Sequence, residues 1–261
     1  MGAVKSIKVD VIVVGAGIAG LALSALIARS GGRVCLLDKR LPKFVHKENL
    51  VIGEPSQAWV SALARPAVRL LGKLGIWQWL LAHNAAPFEG MQVATEGGAD
   101  FNFKGQDIGA ENLGYIVNNI LIQQSLWGCI EEFREGFLAI EDQPSHWDDV
   151  NGVLKTVGGA WVHAPVLVGA DGANSWVRQA AGITLDVDQG VNDEAWIGML
   201  SHQRLHEDAA RQVFYHDGVV GILPSRDPRK SACVWSRSRK KEGVASSEMS
   251  DEDSDQLKKR L

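Results

Sequence analysis

The sequence predicts an α/β protein, on three observations. An uncharged segment, residues 11–28, contains glycines at G-x-G-x-x-G spacing. A second apolar run follows it and ends on an acid, Asp38. A later segment, residues 164–183, again has the order of apolar strand, glycine-containing turn and helix. Strands that alternate with helices in this way predict a Rossmann-like domain built on a parallel sheet.

The first unit has the full order of a dinucleotide-binding βαβ motif. The β-branched run "VDVIVV" predicts a buried strand, "LALSALIARS" predicts a helix, and "RVCLLD" predicts the second strand. Gly15 allows a tight turn, Gly17 allows backbone N–H groups to approach a pyrophosphate, and Gly20 allows close packing of helix on strand. The helix N-terminus favours phosphate, and Asp38 is placed to accept hydrogen bonds from a ribose diol.

Two other interpretations of the uncharged segment are less consistent with its residues. A membrane-spanning helix does not account for the internal glycines, and the part of the segment that is predicted to be helical is too short to cross a bilayer. A secretion signal requires a basic flank, which Asp10 interrupts. We therefore predict no transmembrane segment.

Composition indicates a cytoplasmic globular protein. The net charge of −4 excludes a general basic surface for nucleic acid. Cys35, Cys129 and Cys233 are odd in number and outside any C-x-x-C pattern, which is typical of unpaired thiols in a reducing compartment. His202 and His206 are four residues apart, but no further ligand completes a zinc site, so we predict no metal.

The second motif is the stretch "APVLVGADGANSWVRQAAGI" at residues 164–183. Its strand, residues 166–168, leads into a turn that contains Asp171 and Gly172. Asn174 or Ser175 can cap a helix that begins near Trp176. Taken alone, this segment leaves an ordinary strand–turn–helix open as the less favoured alternative.

Together, the two motifs resemble a known family. The order G-x-G-x-x-G, acid, then G-A-D-G-x-x-S-x-V-R is similar to the flavin-dependent aromatic hydroxylases, the class of para-hydroxybenzoate hydroxylase. Within that class the chain most resembles the ubiquinone-biosynthesis hydroxylases. Supporting segments in the same order are "VSALARPAVRLLGKLGIW", "APFEGMQV", "LGYIVNNILIQQSLW" and "GVVGILPSRDPRKSACVWS". The resemblance extends over essentially the whole chain.

The resemblance implies an FAD-binding domain interrupted by a mixed β-sheet substrate domain. We expect the FAD-binding domain at residues 1–80 and 112–185 and the substrate domain at 81–111 and 186–246. The strand-like segments outside the motifs are "MQVAT", "ADFNFK", "EAWIGMLS", "RQVFYH", "VVGILP" and "SACVWS". Residues 247–261 would start a C-terminal helix or form a tail. The family's third flavin motif is missing, which predicts a C-terminally truncated chain.

The resemblance also implies which residues contact the cofactors. Asp38 would meet the ribose of FAD, and Gly15 and Gly17 its pyrophosphate. Gln123 matches a family glutamine at the cofactor, although it is also explained as a polar helix residue. Asp171 and Gly172 match an element near the diphosphate that also serves a nicotinamide donor. The predicted cofactor-binding residues are Gly15, Gly17, Gly20, Asp38, Gln123, Asp171, Gly172 and Arg178, the last of which is equally explained as a solvated helix arginine.

The implied activity is that of an FAD-dependent monooxygenase. NAD(P)H would reduce the flavin, and a C4a-hydroperoxyflavin formed with O₂ would hydroxylate a phenolic, polyprenylated ring. The cofactor performs the chemistry, so the sequence identifies no catalytic residue. Such a substrate implies peripheral contact with the inner membrane, and the pathway implies partners in a biosynthetic complex.

Departures from the family leave two alternatives open. Trp59 and Ile120 stand where the family commonly has arginines. With the missing third motif, this leaves open a non-catalytic relative that acts as a pseudoenzyme or a structural subunit. An NAD-dependent dehydrogenase is the other alternative, but it does not account for Asp171 and Gly172.

Overall fold

The computed structural model describes residues 6–42, 58–185 and 193–238. Residues 247–261, predicted to start a helix or form a tail, lie outside these ranges. The helices are α1 (Ile18–Arg29), α2 (Arg65–Lys73), α3 (Trp77–His83), α4 (Asn119–Glu131) and α5 (Trp176–Ala180). The strands are β1 (Ser6–Lys8), β2 (Val11–Val14), β3 (Val34–Asp38), β4 (Val60–Ala64), β5 (Ala86–Phe88), β6 (Gly90–Thr95), β7 (Asp100–Lys104), β8 (Gly114–Asn118), β9 (Phe137–Glu141), β10 (Pro144–Asp148), β11 (Val153–Thr156), β12 (Trp161–His163), β13 (Val166–Gly169), β14 (Asp193–Ser201), β15 (Ala209–Tyr215), β16 (Gly218–Pro224) and β17 (Lys230–Ser238).

The chain divides into two compact units. The first comprises Met1–Ser56, Val60–Ala86 and Gly114–Asp186, and the second comprises Gln57–Trp59, Pro87–Leu113 and Val187–Leu261. The assignment of an FAD-binding role and a substrate-binding role to two domains stays a prediction.

A parallel sheet is the centre of the first unit. Its order is β13-β2-β3-β9, and all neighbouring strands are parallel. The uncharged β-branched run of β2 suits this position, because a strand in the interior of a parallel sheet is covered on both faces. The two predicted strands and the helix of the βαβ unit are therefore confirmed as β2, α1 and β3.

Each face of this sheet is covered by a different layer. Val13 and Leu36 belong to a core that includes Leu21 of α1 and Ile122 of α4. Alternate side chains of the same strands, such as Ile12, belong to a separate core with residues of β11 and β12. The alternation along each strand thus directs side chains to helices on one side and to a second sheet on the other.

That second sheet was not predicted from the sequence. Its order is β1-β12-β11-β10, with β1 and β12 parallel and the other pairs antiparallel. A local signal was available, because Asn151-Gly152 lies between β10 and β11 and is a common hairpin turn sequence. Nothing local indicates that Ser6–Lys8 pairs with Trp161–His163.

The second unit contains a mixed sheet. Within the described residues its order is β14-β17-β16-β15-β6-β7, in which β15 and β6 are parallel and the other pairs are antiparallel. Each of the six segments predicted as strands outside the motifs forms one of these strands. The predicted α/β class with an additional mixed sheet is confirmed.

The two faces of the mixed sheet differ in exposure. One face carries the buried side chains of Val220, Cys233 and Trp235. Residues that are paired across neighbouring strands lie on the same face of a sheet. The register therefore places a second group of apolar side chains on the opposite face. We call this side the open face and define it by Ile197, Phe214, Val219, Leu223 and Val234. Ile197 is 52% exposed and Phe214 42% exposed.

The three cysteines are free and buried. Burial raises the pKa of the Cys35 thiol to about 12 and that of Cys233 to about 11. The Cys129 thiol donates to the Leu74 carbonyl at 3.2 Å. In the described part of the chain no helix is long and apolar enough to span a membrane.

Candidate functional site

The predicted site residues meet at the carboxyl edge of the parallel sheet. Val14, the last residue of β2, pairs with Gly169 on one side and with Leu37 on the other. The loops that follow β2 and β13 are therefore neighbours, and Asp38 ends the adjacent strand β3. Ligands of open α/β sheets bind at such an edge.

Gly15 joins the two motifs through a close backbone contact. It has φ +111°, and a Cβ atom built on it would lie 2.2 Å from the Ala170 carbonyl oxygen. Its N–H donates to the Leu37 carbonyl at 2.8 Å. A side chain at this position is excluded both by the backbone conformation and by the second motif.

Gly20 and Gly17 occupy contrasting positions in the first turn of α1. A Cβ atom on Gly20 would lie 1.9 Å from the Gly15 carbonyl oxygen, whereas one on Gly17 would have no neighbour within 4 Å. Gly17 is the N-cap, makes no side-chain cap hydrogen bond, and is followed by no acid in the first turn. The first backbone N–H groups of α1 lack intrahelical acceptors, and no acid in the first turn offsets the positive end of the helix dipole.

Asp38 and Gln123 both bind Ala16, the residue between the first two glycines. Asp38 Oδ2 accepts from the Ala16 N–H at 2.6 Å, and its Oδ1 accepts from the Arg40 N–H at 2.9 Å. Gln123 Nε2, on α4, donates to the Ala16 carbonyl at 2.7 Å. Both side chains therefore hold the glycine loop in place, and their predicted contacts with the cofactor stay predictions.

Asp171 caps helix α5. Its Oδ1 accepts from the Ser175 hydroxyl at 2.5 Å, and its Oδ2 accepts from the N–H groups of Trp176 at 2.6 Å and Val177 at 3.1 Å. Ser175 is the N-cap and accepts from the Arg178 N–H at 3.0 Å, which confirms one of the two predicted capping residues. The Asp171 carboxylate thus shapes its own turn, and a direct contact with FAD stays a prediction.

Arg178 and Gly172 complete this turn. The Arg178 guanidinium donates to the carbonyl of Ala173 at 2.7 Å. Arg178 therefore contacts the turn, and its predicted contact with the cofactor stays a prediction. Gly172 has φ +80°, and a Cβ atom on it would have no neighbour within 4 Å.

The arrangement is suited to a diphosphate. Open space beside Gly17, N–H groups without intrahelical acceptors at the start of α1, and a carboxylate at the end of β3 are features that bind a dinucleotide. Sequence patterns did not indicate the roles of Ala16, whose backbone binds the side chains of Asp38 and Gln123, or of Ala170, whose backbone contacts the glycine loop. Both alanines act through their own main-chain groups, so no residue-type signal marks them.

The structure also describes four other residues that were singled out in the sequence, namely Trp59, Ile120, His202 and His206. Trp59 is 55% exposed, and the Ile120 N–H donates to the Asn118 side chain at 2.9 Å. His206 Nε2 contacts the Ser225 carbonyl at 2.9 Å, and His202 Nε2 contacts the Ser231 hydroxyl at 3.1 Å. Among the described residues no three potential metal ligands cluster together.

Comparison with known proteins gives a family for this site. Residues 8–261 match the family described as "FAD binding domain". The chain is 28% identical over 228 residues to 3-demethoxyubiquinol 3-hydroxylase of Escherichia coli strain K12, covering 87% of this chain and 56% of that protein. It is 31% identical over 228 residues to ubiquinone hydroxylase UbiL of Rhodospirillum rubrum, covering 87% and 51%. The chain thus spans about half the length of these curated relatives.

The fold is similar to that of solved flavoproteins. The crystal structure of Pseudomonas aeruginosa PqsL in complex with 2-aminobenzoylacetate superposes with a TM-score of 0.69 at 18% identity. The match covers 89% of this chain and 61% of PqsL. At this identity the likeness establishes the fold alone.

Proposed function

Since this chain belongs to the FAD-binding-domain family, we propose that it acts as an FAD-dependent monooxygenase in ubiquinone-type biosynthesis. Its substrate is a phenolic, polyprenylated ring, its co-substrate is O₂, and NAD(P)H is the electron donor. Support for the reaction comes from the names of the relatives, which are ubiquinone hydroxylases and span most of this chain.

The glycine loop and α1 are the part of the chain that would hold FAD. The N–H groups at the start of α1 bind the diphosphate, and Gly17 allows it to approach the backbone. The Asp38 carboxylate accepts one hydrogen bond from Ala16 and one from Arg40, which leaves further lone pairs on its oxygens. These remaining lone pairs accept hydrogen bonds from the ribose hydroxyls. Gln123 fixes the loop from α4 through the carbonyl of Ala16. FAD supplies the oxygen-activating redox chemistry, so the protein's task is binding, orientation and exclusion of water.

The open face of the mixed sheet supports a hydrophobic substrate. A sheet with one buried face normally presents polar side chains on the other. Here the second side carries Ile197 and Phe214, which are exposed, and Val219, Leu223 and Val234, which are half-buried. Small-molecule sites are mostly apolar with a few polar groups that fix orientation. We propose that the ring and the start of the prenyl chain lie on this face.

Gln212 is the polar residue that we assign to orientation of the ring. It pairs with Gly221 and Val93 in the register, which places its side chain on the same side as Phe214. Its amide offers both a donor and an acceptor to a phenolic hydroxyl.

Flavin binding separates this proposal from its alternatives. We expect the purified chain to absorb in the visible blue, or to take up added FAD with that spectrum. A chain that is purified without flavin and does not take up added FAD would support the non-catalytic relative. Tight binding of NAD without binding of FAD would support a dehydrogenase.

Substrate class is tested by binding to the flavin-loaded chain. We expect a short-chain prenylated phenol to perturb the flavin spectrum at lower concentration than the same phenol without its prenyl group. Val234→Asp should raise the dissociation constant for the prenylated ligand, because it places a charge on the apolar surface. Arg229→Gln, on an exposed turn, is the matched control. Equal affinities for the two phenols would contradict the proposed substrate.

Contact with a membrane surface and with partners in a biosynthetic complex follows from this substrate. Both are part of the proposal. Vesicle flotation of the chain with and without the prenylated phenol tests the first, and co-purification from the native cell tests the second.

A further inference from the structure

We propose that strand β7, Asp100–Lys104, is a dimerisation edge that pairs with β7 of a second copy of this chain. The strand lies at one end of the mixed sheet in the order of the described strands. Asp100, Phe101, Asn102 and Lys104 are exposed, and Phe101 is 64% exposed. An exposed strand edge presents backbone groups that another strand can pair with.

The backbone groups of alternate β7 residues point away from the sheet. The Gly105 N–H donates to the Glu89 carbonyl and the Thr95 N–H donates to the Ala99 carbonyl, both at 2.8 Å. These two bonds lie just beyond the two ends of the β6–β7 pairing. In an antiparallel pair every second residue bonds to the neighbouring strand, so the backbones of Phe101 and Phe103 bond to β6. The N–H and C=O groups of Asp100, Asn102 and Lys104 therefore point outward. Consistent with this, the Lys104 N–H donates to the Asp107 side chain at 2.7 Å and not to β6.

The sequence of the strand, DFNFK, is complementary to itself when it is reversed. In an antiparallel pair centred on Asn102, Asp100 of each copy faces Lys104 of the other. Phe101 faces Phe103, and the two Asn102 residues face each other on a two-fold axis. Opposite charges and aromatic side chains are favourable cross-strand pairs, whereas like charges directly opposite are unfavourable.

The outward backbone groups of Asn102 fit this pairing, because Asn102 can exchange both of its backbone hydrogen bonds with Asn102 of the second copy. The Lys104 N–H keeps its bond to Asp107, so at the ends of the pair the contact is between the side chains of Asp100 and Lys104. Phe101 and Phe103 of one copy lie on the same face and contact each other, with ring centroids 5.2 Å apart. In the pair, the phenylalanines of the second copy join them on that face. A pairing of such short strands buries less area than a permanent interface, so the dimer is one of modest affinity.

Sedimentation equilibrium of the full 261-residue chain tests this proposal. From micromolar to near-millimolar protein, we expect the weight-average mass to rise from 28.3 kDa toward twice that value. Asp100→Lys alone and Lys104→Asp alone each place like charges opposite one another, and each should remain a monomer. A mixture of the two single variants restores opposite charges across the axis and should form a heterodimer.

Circular dichroism of each variant establishes that it is folded. Asn102→Pro is a second probe, because it removes an outward N–H that β6 does not use, and it should also abolish association. The proposal is overturned if the wild-type chain stays monomeric throughout, if either single variant associates as the wild type does, or if the mixture stays monomeric.

Discussion

Gly15 and Ala170 approach each other so closely that their backbones leave no space for a side chain at Gly15. These residues belong to motifs more than 150 positions apart in the chain. Their contact brings the turn that contains Asp171 beside the glycine loop, at the end of adjacent parallel strands. The two motifs therefore share one edge of one sheet, as a single dinucleotide site requires.

The glycine loop should respond very differently to substitution at two of its positions. The side chain introduced by Gly17→Val would point into open space at the N-cap of α1. The fold should therefore be retained, with a loss of about 1 kcal/mol in the free energy of unfolding. It should abolish retention of FAD, because the side chain occupies the space that the diphosphate needs. Gly15→Val should instead destabilise the fold by about 2–5 kcal/mol through strain and overlap. Urea unfolding and bound-flavin absorbance measure the two effects, and full flavin content in Gly17→Val would refute the role of the loop.

Asp38→Ala should weaken FAD binding by about 1.5–3 kcal/mol, the value of a hydrogen bond to a charged group. This corresponds to a dissociation constant about tenfold to a hundredfold higher. Asp10→Ala is the control, since Asp10 is an exposed carboxylate that pairs with Arg33 at 3.3 Å, before β2. Fluorescence titration with FAD gives both constants. An unchanged constant in Asp38→Ala means that this carboxylate does not bind the cofactor.

Asp171→Ala should lower the free energy of unfolding by about 1–2 kcal/mol, because it leaves the first N–H groups of α5 without their acceptor. Asp171→Asn retains one side-chain oxygen and should lose less. Denaturant unfolding of the two variants compares these losses. Equal stability of Asp171→Ala and the wild-type chain would remove the capping role.

Asp142 should contribute to loss of stability in acid. Hydrogen bonds from the Thr156 hydroxyl, and then from the Gln143 and Gly158 backbone, hold the pKa of this carboxyl below its ordinary value of 3.8. Because the pKa is lower in the folded state, the contribution is present above the ordinary value and is lost as the pH falls through the folded one. Asp142→Asn should therefore show a shallower decline of unfolding free energy below pH 3.8 than the wild-type chain. Parallel curves for the two proteins would contradict this assignment.

Local sequence patterns predicted the elements that depend on neighbouring residues. The βαβ unit and the strands of the mixed sheet follow from runs of apolar residues and glycine turns, which act within a few positions of the chain. The sheet that contains β1 was missed, because Ser6–Lys8 finds its partner at Trp161–His163 and no local pattern encodes such a pairing.

The same distinction holds at the site. Glycine spacing and the terminal acid predicted the βαβ loop whose backbone geometry is now described, and its contact with a ligand stays a prediction. The bonds from the Asp38 and Gln123 side chains to the main chain of Ala16 were not predictable, because β3 and α4 come to the glycine loop only in the folded chain. Likewise, the motif gave no indication that the Asp171 carboxylate is bonded to the start of α5, and its contact with the cofactor stays a prediction.

The pairing of β1 with β12 and of β2 with β13 sets an order of events during translation. The amino-terminal strands leave the ribosome first, yet their outer neighbours, Trp161–His163 and Val166–Gly169, are synthesised roughly 150 residues later. At about 5–20 residues per second the wait is roughly 8–30 s. During that interval the edge of β2 that β13 later covers is unpaired, and such an edge presents backbone groups with which another chain can pair.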